Sequence, residues 1–70
     1  MNMKDAKAGI LKLWDVWAEN PDAAEVPKMR EFYDWVEKNH PNLLTWKVGP
    51  GIDRWQDVRG WLNSRTKYGG

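Results

Sequence analysis

The six tryptophans of this chain constrain its fold more than any other feature, because the chain has only 70 residues and no cysteine. A chain of this length buries a modest fraction of its surface, so its stability is marginal unless something such as a disulfide or a metal reinforces it. The sequence supplies neither, since its single histidine, His40, cannot form a cluster of metal ligands. A buried indole, however, removes roughly 150–250 Å² from water. The sequence therefore predicts a core built from a few large aromatic side chains.

Three segments have the hydrophobic spacing of amphipathic helices. Their apolar residues recur every three or four positions, which places them on one face of a helix. The predicted helices cover about residues 3–19, 27–39 and 53–65, and prolines or glycines separate them. The sequence thus predicts one all-α domain over residues 1–70, a small three-helix bundle with an aromatic core, followed by a flexible tail over residues 66–70.

Local signals mark the helix ends. Asn2 is a candidate N-cap of the first helix, and Asp53 followed by Gln56 has the spacing of a capping box at the start of the third. Gly9 lies inside the first helix, where glycine costs about 1 kcal/mol relative to alanine. Either the helix tolerates this glycine, or the glycine allows another element to approach closely.

Residues 43–51 lack a helical pattern. Leu44, Trp46 and Val48 alternate with polar residues, which is typical of an extended segment with one buried side. A lone strand has no partner in a helical chain, so we expect an ordered loop between the second and third helices that lays Leu44 and Trp46 across them. The sequence Gly-Pro-Gly at residues 49–51 predicts a sharp turn.

The tryptophans divide into two groups. Trp14, Trp17 and Trp55 fall within the apolar stripes of their helices and are predicted to lie in the core. The other three have no evident internal position: one lies off the stripe of the second helix, one lies in the loop and one lies at the margin of the third helix. Burial and exposure are equally compatible with the sequence for these three, which are Trp35, Trp46 and Trp61.

Exposed tryptophans next to arginines are typical of protein-binding surfaces, where both residue types act as anchors. From residue 44 to the end the chain has five basic and two acidic residues, which would suit an acidic partner. The sequence therefore predicts a partner-binding surface made of Trp46, Arg54, Arg59, Trp61 and Arg65, together with Trp35.

Nothing in the sequence indicates catalysis. His40, the only imidazole, stands at a predicted helix end, and no nucleophile or partnered carboxylate accompanies it. The glycines before Ile52 are not followed by the Lys-Ser/Thr pair of a phosphate-binding loop. We therefore expect a non-catalytic protein without a cofactor or metal that binds a macromolecule, most simply another protein, as adaptors and inhibitors encoded by phages or mobile elements do.

Two alternatives remain open. The third helix carries Gln56, Arg59 and Asn63, and Lys67 flanks them just beyond its end. Arg, Gln and Asn side chains read base edges in the major groove, so the chain could be a helix-turn-helix-like DNA-binding regulator. Its net charge of only +1 speaks against a general nucleic-acid binder. The other alternative is an oligomeric structural protein whose additional tryptophans meet their copies.

The sequence also bears on location. No apolar run approaches the roughly 20 residues that a membrane span needs. Lys12 and Asp15 interrupt the apolar residues near the start, so there is no signal-peptide pattern. Together with the absence of cysteine, this predicts a soluble cytoplasmic protein without membrane contact.

Overall fold

The computed structural model of this protein describes residues 1–66 and is all-α in that range. Three α-helices pack together: α1 is Met3–Trp17, α2 is Val26–Asn39 and α3 is Arg54–Arg65. A short 3₁₀ helix, Pro41–Leu44, lies between α2 and α3. The molecule measures 29 × 23 × 19 Å along its principal axes. The predicted all-α architecture with three packed helices and an aromatic cluster is confirmed.

The predicted caps are present. The side chain of Asn2 accepts a hydrogen bond from the backbone N–H of Asp5 at 2.8 Å, and that of Asp53 accepts one from the N–H of Gln56 at 3.0 Å. Helix α1 ends at Trp17, earlier than predicted, because the backbone turns to an extended conformation at the following residue. These caps satisfy N–H groups that have no partner within their helices.

The core lies where the apolar stripes of the helices meet. Trp14 is fully buried, contacts Phe32 edge-on with ring centroids 5.2 Å apart, and donates its indole N–H to the carbonyl oxygen of Pro21 at 3.1 Å. This hydrogen bond fixes the connector between α1 and α2 against the core. The buried apolar residues are Ala6, Ile10, Trp14, Ala18, Met29, Phe32, Tyr33, Val36, Trp46, Val58 and Leu62.

The prediction that Trp14, Trp17 and Trp55 are core residues is right for Trp14 and only partly right for the other two. Trp17 and Trp55 are half-buried and pack against the buried cluster from its edge. An indole is large and is often buried only in part, and Trp17 and Trp55 each keep some of their surface in water.

The loop between α2 and α3 is ordered, but it begins with a helical turn rather than an extended segment. Leu44 belongs to the 3₁₀ helix and is half-buried, and Trp46 reaches the core. The N–H of Ile52 donates to the carbonyl oxygen of Gly49 at 3.2 Å across the predicted Gly-Pro-Gly turn. Gly51 has φ +78°, which a glycine at the third position of such a turn adopts without strain.

Gly9 allows a close approach, from the loop rather than from another helix. A Cβ atom at this position would lie 3.3 Å from a methyl carbon of Leu43 in the 3₁₀ helix. At the end of the described range, Thr66, the first residue of the predicted tail, is only 2% exposed and so packs against the rest of the molecule. The remainder of that prediction, residues 67–70, lies outside the described residues.

Candidate functional site

Three of the six residues of the predicted partner-binding surface contact one another inside the molecule: Trp46, Arg54 and Trp61. Arg54 donates from Nε and Nη2 to the carbonyl oxygen of Trp46, at 3.0 and 2.8 Å. Asp57 accepts the indole N–H of Trp46 at 3.0 Å. The guanidinium of Arg54 also lies 5.7 Å from the centre of the Trp46 ring, and the ring of Trp61 lies 5.0 Å from it. We call Arg54, Asp57 and Trp61 the Trp46 clamp.

The clamp corrects the expectation that Trp46 takes part in partner binding, because only 1% of Trp46 is exposed. Its ring is covered on both sides, and its single polar atom has a partner. Trp61 and Arg54 are half-buried, with their inward sides engaged by Trp46. These predicted anchors therefore pack against a segment of their own chain, and only a small part of their surface can contact another molecule.

Arg65 is also engaged within the chain. Its Nη2 atom lies 2.8 Å from the carboxylate of Asp15 in α1, and its Nη1 atom hydrogen-bonds to the carboxylate of Asp22 in the connector. The hydrogen bond to Asp22 and the nearby charge of Asp15 raise the pKa of the Arg65 guanidinium above its ordinary value, although desolvation opposes them. Arg65 thus joins three parts of the fold.

Trp35 lies on a different side of the molecule. Its ring neighbours are Trp17, Phe32 and His40, at centroid distances of 6.4, 6.1 and 5.2 Å, and none of them belongs to α3. The structure therefore does not bring Trp35 together with Trp61. The predicted surface is not continuous.

Arg59 is the predicted anchor that remains free. It is exposed and makes no hydrogen bond or ion pair with residues 1–66, whereas the other three arginines of that range are all engaged. Gln56 is exposed and Asn63 is half-buried, and their spacing from Arg59 places all three on the outer side of α3. Lys67, the fourth residue of the DNA-binding alternative, lies outside the described residues.

Helix α2 adds Arg30 to this surface, a residue that no sequence pattern indicated. The guanidinium of Arg30 lies 5.2 Å from the ring centre of Tyr33 and 5.3 Å from that of Trp55. Trp55 stands one helical turn before Arg59 on α3. We call the surface formed by Arg30, Trp55, Gln56, Arg59 and Asn63 the α2–α3 face. The pairing of Arg30 with Trp55 depends on how the helices pack, so no spacing in the sequence reports it.

An open depression of about 330 Å³ lies at the end of this face, lined by Ala24, Glu25, Val26 and Asn63. Val26 is 40% exposed there. The depression has an apolar floor and two polar side chains at its edge. It could receive one side chain of a partner, and its volume lies at the lower end of the range of small-molecule pockets.

Chemical groups for catalysis or metal binding are sparse in the described part of the chain. No group of three His, Asp or Glu side chains among residues 1–66 could hold a metal ion. Burial, followed by the charge of Glu37, raises the pKa of Tyr33 above its ordinary value, and Tyr33 lies in the core rather than in a cleft. Among the described helices, none is long and apolar enough to cross a membrane.

Comparison with protein-family models, with curated proteins and with solved structures found no match to this chain.

Proposed function

We propose that this chain is a small non-catalytic binding protein that contacts a larger protein through the α2–α3 face. The supporting observation is that Arg59 is exposed and makes no hydrogen bond or ion pair with residues 1–66. It stands one helical turn from Trp55, which is half-buried. Arginine and tryptophan are the residues most often found as anchors in protein interfaces. Such a protein acts as an adaptor or as an inhibitor that covers part of its target.

The neighbouring residues make this surface suitable for binding. Arg30 already lies against the rings of Tyr33 and Trp55, so this part of the surface loses little side-chain freedom when a partner arrives. The position of α3 is fixed on its inner side by the Trp46 clamp and by Arg65. Its outer side can therefore contact a partner without a change in the fold. The absence of cysteine supports a role in the cytoplasm.

The DNA-binding alternative uses the same side of α3. Gln56, Arg59 and Asn63 project from it together, as side chains of a recognition helix do. However, two carboxylates, Asp53 and Asp57, stand at the start of this helix and would repel the phosphates of a bound duplex. We therefore favour a protein as the partner.

The test is capture from a nuclease-treated cell lysate with tagged wild type, Arg59→Glu and Lys7→Glu. Lys7 is an exposed lysine of α1 that makes no ion pair with residues 1–66, so the control makes the same change of charge on another helix. We expect the wild type and Lys7→Glu to retain the same protein, and Arg59→Glu to lose at least about tenfold of the captured amount, as removal of an interface anchor predicts.

Two results would contradict the proposal. Equal capture by all three proteins would show that the α2–α3 face is not the contact. Arg59-dependent retention of nucleic acid, in a parallel lysate without nuclease, would favour the DNA-binding alternative instead. Circular dichroism of each variant verifies that a loss of capture does not reflect unfolding.

A further inference from the structure

The α2–α3 face combines a free cation with an apolar depression, and together they specify what a partner must present. Arg59 makes no ion pair with residues 1–66, and the amide side chains of Gln56 and Asn63 flank it on the same side of α3. A planar guanidinium between two amide donors favours a carboxylate, which it can bind through two parallel hydrogen bonds.

The depression beside Asn63 favours a different group. Its floor is formed by Ala24 and Val26, and Val26 would lose its remaining exposure if an aliphatic side chain filled the space. Glu25 at the edge makes no ion pair with the described part of the chain. It can accept a backbone N–H or a lysine of the partner.

The spacing between the two features follows from helix geometry. Arg59 and Asn63 are four positions apart on α3, which corresponds to about 6 Å along the helix axis. The backbone positions that carry the two features are thus about one helical turn apart, and we expect the carboxylate and the aliphatic side chain of a partner to stand at a comparable spacing. Residues separated by two positions in an extended strand, or by four in a helix, meet this requirement.

We propose that the α2–α3 face binds a short protein segment in which an Asp or Glu pairs with Arg59 and an aliphatic side chain, two or four positions away, fills the depression at Val26. This inference rests on the proposed function and adds the chemical character of the partner. Charge complementarity supports it, because Arg59 is the cation that this face leaves unsatisfied within residues 1–66.

The test is selection of peptides from a random displayed library on immobilised wild type, Arg59→Gln and Lys7→Gln. Wild type and Lys7→Gln should enrich peptides that contain Asp or Glu two or four positions from Leu, Ile or Val. The best of these peptides should bind Arg59→Gln at least about tenfold more weakly, as the loss of a charged hydrogen-bonded pair predicts.

A second variant tests the depression. Val26→Asp places a carboxylate in the lining of the depression, and we expect it to weaken binding of the same peptides while the helix content seen by circular dichroism stays unchanged. The inference is wrong if the enriched peptides lack acidic residues, lack the spacing, or bind Arg59→Gln as well as wild type. If this occurs while lysate capture still depends on Arg59, only the partner chemistry fails and the proposed function stands.

Discussion

Trp46 illustrates how much of this small core depends on single side chains. Its ring lies between an arginine and a tryptophan, its N–H is bonded to a carboxylate and its carbonyl oxygen is bonded twice by one guanidinium. Both the apolar area and the polar atoms of the residue are therefore satisfied inside the molecule. This accounts for one of the three tryptophans whose position the sequence left open.

We predict that Trp46→Ala destabilises the protein by about 3–5 kcal/mol, because it removes a buried indole and leaves a cavity. Trp46→Phe keeps an aromatic ring but loses the hydrogen bond to Asp57. We expect it to destabilise the protein less than Trp46→Ala does, with about 1–2 kcal/mol from the lost hydrogen bond in addition to the effect of the smaller side chain. Urea denaturation followed by circular dichroism measures both. Lys47→Ala, at the exposed neighbouring position, should change stability by less than about 0.5 kcal/mol. Wild-type stability of Trp46→Ala would contradict the burial of this residue.

At the scale of elements, the helices could be predicted because each carries a repeating apolar pattern, and the Met29–Val36 stripe of α2 is buried as that pattern requires. The Trp46 clamp could not be predicted. The clamp residues lie at helical spacing on α3. They combine two charged side chains with one aromatic ring, however, and a search for repeating apolar residues does not detect such a set. Their role depends on where the preceding loop lies, which is a property of the tertiary structure.

The candidate site could also be predicted only in part, because the helical pattern indicates the exposed side of α3 but not what packs beside it. Arg59 and Gln56 are exposed because α3 buries its opposite side, and the helical pattern already indicates that side. The contributions of Arg30 and Val26 come from α2, and only the packing of α2 against α3 brings them close to Trp55 and Asn63 of α3. The depression at the end of the α2–α3 face likewise has no counterpart in sequence spacing.

Three glycines provide a prediction about individual elements. Gly60→Ala should stabilise the protein by about 1 kcal/mol, since alanine is the better helix former and, among residues 1–66, no atom beyond the chain neighbours and the nearby backbone of α3 lies within 4 Å of the added methyl group. Gly9→Ala should gain less, because Leu43 must move by a few tenths of an ångström to admit the methyl group. Gly51→Ala should destabilise by about 1 kcal/mol or more, because its φ is unfavourable for a side chain.

Thermal and urea unfolding of the three variants and of wild type measures this predicted order of stability. A stabilisation by Gly51→Ala would show that the turn does not hold the positive φ in solution. A stabilisation by Gly9→Ala as large as that by Gly60→Ala would show that Leu43 does not pack against α1.

At the scale of the whole molecule, a few polar contacts join parts of the chain that are distant in sequence. Arg65 at the end of α3 contacts Asp15 in α1 and Asp22 in the connector. Arg30 of α2 likewise lies against Trp55 of α3. Without a disulfide, these contacts orient the helices, and burial of the aromatic cluster supplies most of the stability.

The stability of the molecule should fall at alkaline pH because of Tyr33. Burial raises the pKa of Tyr33 above its ordinary value of 10.0, and the charge of Glu37 raises it further. The unfolded chain therefore loses this proton first, so the contribution of Tyr33 is complete below pH 10.0 and is lost as the pH rises through the higher pKa of the folded state. Urea unfolding across this range should show a steeper fall for wild type than for Tyr33→Phe. Identical slopes would contradict the raised pKa.

The Trp46 clamp also bears on the order in which the chain folds. Trp46 is separated from Arg54 and Asp57 by 8 and 11 positions, whereas Arg65 and Asp22 are separated by 43. Closing the shorter loop costs less chain entropy, so the segment from the loop to the middle of α3 can acquire order before α1 is in place. Mutations in the clamp would then slow folding, whereas mutations at the Arg65 contacts would mainly accelerate unfolding. The same tryptophan that completes the core would thus help to begin its assembly.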